Sequence, residues 1–170
     1  MNKGYILLLL FLLIAFNSFS QAKYSLKAEA GFTKFLFNPV SVDAGPDWKG
    51  YYLDGQNGID INISNGVMFK KKIYTGLGFG YLNFEGQHGV SIFSDFEFLS
   101  VKKKIAPLAN IKIGYFQLWN QYENGTDTVL IELMAGLNYH LTESVDIYFK
   151  SGFLITQQSL LIPIRLGFRF

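Results

Sequence analysis

Leu160-Leu161-Ile162-Pro163-Ile164-Arg165-Leu166-Gly167-Phe168-Arg169-Phe170 closes the chain and sets how the rest is read. Successive side chains of a strand point to opposite faces. Leu160, Ile162, Ile164, Leu166, Phe168 and Phe170 therefore share one face, and Leu161, Pro163, Arg165, Gly167 and Arg169 share the other. One face is wholly apolar and the other carries two arginines. Termini in water are usually polar and frayed. A last strand finishing on an aromatic residue points instead to a barrel that closes within a membrane.

The N-terminal stretch agrees. Met1-Asn2-Lys3 gives a short positive start, and residues 4–16 are nearly all apolar. Ser18 and Ser20 supply the small residues that a signal peptidase reads, so a cleaved signal peptide is expected over 1–20, with one barrel domain over 21–170. The apolar run is shorter than the roughly 20 residues a spanning helix needs, which argues against a membrane anchor. The chain has no cysteine, so neither a lipid anchor on cysteine nor a disulfide is available.

Without Lys3, 14 basic side chains stand against 13 acidic ones, a net of +1. Nucleic acid is therefore not an expected partner, because phosphate binding needs a basic excess. The 17 Phe, 10 Tyr and 17 Gly against 4 Pro suit strands.

Seven further segments repeat the same alternation. Tyr24, Leu26, Ala28, Ala30 and Phe32 oppose Ser25, Lys27, Glu29, Gly31 and Thr33; Ile59, Ile61 and Ile63 oppose Asp60, Asn62 and Ser64. Ile73, Thr75, Leu77, Phe79 and Tyr81 oppose Tyr74, Gly76, Gly78 and Gly80, while Val90, Ile92, Phe96 and Phe98 oppose Ser91, Asp95 and Glu97. Ile111, Ile113 and Tyr115 oppose Asn110, Lys112 and Gly114. Val129, Ile131, Leu133, Ala135, Leu137 and Tyr139 oppose Glu132, Gly136 and Asn138. Val145, Ile147, Phe149 and Phe153 oppose Asp146, Tyr148, Lys150 and Gly152. With the terminal segment this makes eight strands.

Short connections at 70–72, 100–105 and 141–144 alternate with those at 38–57, 85–89, 119–127 and 155–159. Outer-membrane barrels alternate tight periplasmic turns with external loops, so the reading is an all-β, eight-stranded, antiparallel up-and-down transmembrane barrel with both termini periplasmic. The loop at 38–57, with Trp48, Tyr51 and Tyr52, is the largest expected contact surface, and Asn124-Gly125 marks a turn in a later loop. Asn65 would face lipid halfway down its strand. A β-bulge at Asn65-Gly66 is favoured over a hairpin turn, because an extra hairpin would leave strands too short to span.

The competing fold is a soluble, lipocalin-like barrel with its apolar face inward. Three features favour the membrane form. Glycines (Gly31, Gly76, Gly78, Gly80, Gly114, Gly136, Gly152, Gly167) share the polar face with charges, as a narrow eight-stranded interior requires. Lys27, Lys112, Lys150, Arg165 and Arg169 nearly balance Glu29, Asp60, Asp95, Glu97, Glu132 and Asp146, and enclosed charges must pair. Arg165 and Arg169 are expected to look toward acids such as Glu29 on the first strand. Aromatics near the ends of the apolar face form two girdles: Tyr24, Phe98, Tyr139 and Phe170 at one rim, Phe32, Tyr81, Tyr115 and Phe153 at the other.

On these residues the chain resembles the small eight-stranded outer-membrane barrels of Gram-negative bacteria represented by OmpX and the transmembrane domain of OmpA. The resemblance is architectural and runs over residues 21–170. It implies an outer-membrane, multi-pass barrel whose partners are outer-membrane lipids and, during insertion, the outer-membrane assembly machinery. Ile164, Leu166, Phe168 and Phe170 resemble the C-terminal signal which that machinery recognises. No segment matches a peptidoglycan-binding domain, so no cell-wall tether is expected.

Some barrels of this kind modify lipid A with a His, a Ser and a carboxylate. The two histidines here are His88, near Glu85 and Ser91 in an expected loop, and His140, near Thr142 and Glu143 in an expected turn. Both read as solvated loop residues, and no spacing fixes a catalytic array. No metal spacing, phosphate loop or cofactor motif is present. The lysine runs 70–72 and 102–104 read as solvated turns, or as contacts to phospholipid headgroups. Eight strands leave no aqueous lumen once side chains fill them. The expectation is a non-enzymatic, plugged barrel acting as a platform, with an unidentified envelope protein contacted through its loops. A lipid A-modifying enzyme and a lipocalin-like binder are the alternatives.

Overall fold

In the computed structural model the alternation resolves into eight strands: β1 (Ala22–Phe37), β2 (Gly58–Phe69), β3 (Ile73–Phe84), β4 (Gln87–Leu99), β5 (Ile105–Leu118), β6 (Thr126–His140), β7 (Asp146–Ile155) and β8 (Leu160–Arg169). The structure describes residues 22–40, 53, 55–100, 104–119, 126–156 and 159–170. Each strand pairs antiparallel with its sequence neighbours, and β1 pairs with β8, so the sheet closes into a barrel with no free edge. The closing seam runs from Lys27 opposite Arg169 to Phe37 opposite Leu160. Phe170 extends it: its N–H donates to Leu26 O at 2.9 Å and its O accepts from Leu26 N at 3.2 Å. Strands of 10 to 16 residues reach the length that a tilted membrane strand needs.

The alternation holds through every strand. Most outward positions are apolar and exposed, among them Ile61, Leu77, Ile92, Ile113, Leu133, Phe149 and Leu166, with Asn65, Thr75, Ser94 and Ser151 the polar ones in mid-strand. The aromatics expected at the two rims, from Tyr24 and Phe170 to Tyr81 and Tyr115, are all exposed on this face. Inward positions are buried. Apolar groups turned out and charges turned in invert the arrangement of a soluble barrel.

Two expectations are corrected. No bulge interrupts β2 at Asn65-Gly66: Asn65 pairs with Leu26 and Leu77, Gly66 with Ser25 and Gly76, in unbroken register. Gly66 and Gly76 face each other across the ladder, so the strand passes without an extra residue and Asn65 lies on the outer face. The irregularity lies instead on β1, where pairing with β8 shifts between Phe35 and Phe37. The connection expected at 85–89 shrinks to Glu85 and Gly86, with φ of 52° and 99°, the paired positive φ of a tight hairpin. His88 consequently lies in β4. The signal peptide, Asn124-Gly125, and Trp48, Tyr51 and Tyr52 lie outside the described residues.

Candidate functional site: the charged interior and its two ends

Among the described residues, ten charged side chains are buried, and they comprise five cations (Lys27, Lys112, Lys150, Arg165, Arg169) and five anions (Glu29, Asp60, Asp95, Glu97, Glu132). Every one arises from the period-2 code, which turns it into the barrel. Asp146 lies at the rim, 15% exposed, rather than deep inside.

Glu29 is the hub. It accepts from Lys112 Nζ at 2.7 Å, Lys150 Nζ at 2.6 Å and Tyr148 Oη at 2.9 Å, and Lys27 Nζ stands 3.6 Å away. Lys27 Nζ donates to Asp95 Oδ2 at 2.8 Å and Glu97 Oε2 at 2.9 Å. Asp95 also accepts from Ser64 Oγ at 3.0 Å and Asn110 Nδ2 at 2.6 Å. Arg165 Nε donates to Asp60 at 2.6 Å, and its two terminal nitrogens form a fork onto Glu132. Asp60 is completed by Thr33 Oγ1 at 3.0 Å and Asn62 Nδ2 at 2.6 Å. Arg169 binds Glu97, and its Nη1 reaches Asp146 Oδ2 and Asn138 Oδ1 at 3.1 Å each. An unpaired charge at this depth would cost several kcal/mol, so the pairing is what allows the interior to be charged at all.

The arginines do not reach Glu29, contrary to the sequence expectation. Glu29 pairs in register with Gly167, between the two arginines, and each long side chain leaves β8 for an acid on another strand. Glycine supplies the room. A methyl carbon on Gly31 would lie 2.5 Å from Arg165 Cγ, and one on Gly167 would lie 2.5 Å from Tyr148 Cζ. Aromatic faces fill the remaining space, with Lys27 Nζ 4.7 Å from the Tyr74 ring centre and Lys112 Nζ 4.4 Å from that of Phe93.

Sequence reasoning missed the apolar layers above and below the charges. At the loop end Leu82, Phe84, Phe116, Leu118, Leu130, Leu154 and Leu161 form a buried cluster, joined by Leu53 from the first loop and flanked by Phe35. Phe84 and Phe116 meet edge to face, with centroids 6.1 Å apart. At the other end Met68, Tyr74, Leu99, Ala106, Leu108 and Tyr148 form a second cluster. The signal was present in the inward parity of each strand, which continues past Gly80 to Leu82 and Phe84 and past Gly114 to Phe116 and Leu118.

The histidines are placed by contacts. His88 Nδ1 lies 2.6 Å from Tyr81 Oη on the outer face, and the two rings stack. His140 ends β6, with Nδ1 2.5 Å from Asp146 Oδ1. His88 does not touch the buried network, and His140 meets it through Asp146, which also accepts from Arg169. Among the described residues, no group of three or more His, Asp or Glu is disposed to hold a metal ion.

Comparison with solved structures then decides the fold. Neisserial surface protein A (NspA) superposes with a TM-score of 0.63 at 12% identity, covering 87% of this chain and 97% of its own. This chain has the fold of a small eight-stranded outer-membrane barrel. The N-terminal β-barrel domain of Pseudomonas aeruginosa OprF matches at a TM-score of 0.58 and 13% identity, over 88% of this chain and all of that one (100%). The outer membrane enzyme PagL matches at 0.50 and 14%, over 86% and 98%. No protein-family model matches the chain, and no curated protein matches it. The likeness to this barrel class is therefore one of architecture, carried by strand number, closure and alternation rather than by shared residues.

Proposed function

We propose that the chain is a non-enzymatic integral outer-membrane barrel, closed to ions, that acts as a platform in the cell envelope. The single observation that carries this is the neutral, mutually paired set of ten buried charges, enclosed by a predominantly apolar exterior. A hydrated channel would need neither the pairing nor the apolar layer at the loop end. In this reading both termini are periplasmic, the outer loops, including Trp48, Tyr51 and Tyr52, make contacts with another envelope component, and Ile164, Leu166, Phe168 and Phe170 present the assembly signal. Residues 1–20 act as the export signal.

The test is conductance in a planar bilayer. Absence of nanosiemens steps is expected, and such steps would argue for a pore. One observation favours a second reading, an envelope enzyme: PagL, an outer membrane enzyme, shares the fold. Mass spectrometry of lipid A from expressing cells separates the two. A change produced by the protein and abolished by His88→Ala or His140→Ala would establish the enzyme.

A further inference from the structure

The end of the barrel where β1 begins and β8 ends is not sealed like the loop end. A cavity of about 490 Å³ opens there, a size typical of small-ligand sites. Inward-facing Ser25, Met68, Leu99 and Arg169 line it, and so do outward-facing Tyr24 and Phe170. Tyr24 is 62% and Phe170 51% exposed on the lipid-facing side. The cavity thus crosses the rim at the β8–β1 seam, from the barrel mouth to the lipid-facing surface. Lys23, Lys71 and Lys104 stand around it. Because Arg169 is already matched by Glu97, three lysines stand here against Glu143 and Asp146.

Two observations call for an anion. Among the described residues, the buried side-chain polar atoms without a hydrogen-bond partner are Ser25 Oγ, Arg169 Nε and Asn138 Nδ2. All three can donate, Ser25 and Arg169 line the cavity, and Asn138 is bonded to Arg169. Buried donors rarely go unused. The second observation is the turn at 69–72, closed by Lys72 N–H to Phe69 O at 2.9 Å. Its central residues, Lys70 and Lys71, have φ of 53° and 55°, a conformation normally given to Asn and Gly. Lysines in that place keep positive charge at the mouth at the expense of an easier turn.

We propose that this mouth binds the phosphate headgroup of an anionic phospholipid from the adjoining leaflet. The phosphate lies toward Ser25, Arg169 and the lysines, and the upper acyl chains lie against Tyr24 and Phe170. Free phosphate would use the same donors but leave the apolar wall of Met68, Leu99 and Leu141 uncovered. The inference rests on the membrane reading above and is independent of whether the barrel conducts.

The test uses the chain purified from outer membranes into maltoside micelles and followed by amide NMR. It is titrated in turn with short-chain phosphatidylglycerol, short-chain phosphatidylcholine and inorganic phosphate. Phosphatidylglycerol should give saturable shifts confined to Ser25, Leu99, residues 140–146 and Arg169. Lys71→Gln with Lys104→Gln, both exposed turn residues, should weaken binding about tenfold. Ser25→Ala, a smaller change, should weaken it as well. An equal response to phosphatidylcholine would overturn the proposal, as would unsaturable shifts at every exposed lysine. Equal affinity for inorganic phosphate would reassign the mouth to a free anion. Recovery of the chain in the soluble fraction would overturn the membrane reading itself, whereas bilayer conductance would overturn only the closed platform.

Discussion

Replacing Glu29 with glutamine removes one charge from the centre of the barrel and almost no volume. Three lysines and a tyrosine converge on that carboxylate, with Lys150, Lys112 and Tyr148 within 2.9 Å. The substitution changes the buried set from five against five to five cations against four anions. It also turns an amide N–H₂ toward ammonium groups that now donate to a carboxylate, leaving Lys150 with Asn110 Oδ1 at 2.8 Å as its remaining acceptor. Removing one partner of a buried pair costs about 3–5 kcal/mol, and three cations share this partner, which places Glu29→Gln at the upper end of that range. The assay is equilibrium urea unfolding in phospholipid vesicles, read by the emission of Trp48 and Trp119. Adding Lys112→Met restores neutrality and should recover at least about 1 kcal/mol as coupling between the two sites. A loss below about 1 kcal/mol, the size expected of a solvated pair, would refute the argument that the interior is dry.

Three further outcomes follow from the same geometry. Gly167→Ala drives a methyl group into the Tyr148 ring and should cost about 1–3 kcal/mol in the same titration. Leu133→Arg puts a charge on the exposed outer face of β6 and should cost about 2–4 kcal/mol in vesicles if that position lies near the bilayer midplane, and little in a soluble protein. Phe170→Ser should lower the amount of protein recovered in outer membranes while changing vesicle stability by less than about 1 kcal/mol, because the backbone bonds to Leu26 remain.

Much of the fold was legible because one physical rule governs it. A strand wedged between lipid and a narrow interior must alternate, and Leu160 to Phe170 does so without a break; the same parity places Lys27, Glu29, Asp95 and Arg165 inside. What parity cannot supply is reach. It turned Arg165 and Glu29 to the same side, but only the tilt and stagger of the strands carry Arg165 to Glu132 and Glu29 to Lys150. Turn geometry was equally hidden: Glu85-Gly86 reads as part of a loop until two positive φ values make it a tight hairpin. Asn65 misled for a related reason. A polar residue on the outer face looks like a break in the pattern, yet the ladder through Leu26 and Leu77 carries it without one. The cavity at the mouth was illegible, since it joins Ser25, Lys71, Lys104, His140 and Arg169 from five different parts of the chain.

The central claim is that lipid surrounds this barrel and charge fills it. Because the chain has no cysteine, single cysteines at successive positions 130–137 of β6 can carry a spin label without background. Accessibility to dissolved oxygen and to a water-soluble nickel complex is then compared along the strand in vesicles. The account predicts that labels at Ile131, Leu133, Ala135 and Leu137 are open to oxygen and shielded from nickel, while those at Glu132, Met134 and Gly136 are immobile and open to neither. Outward labels open to the nickel complex along the whole strand would contradict it and return the chain to a barrel surrounded by water.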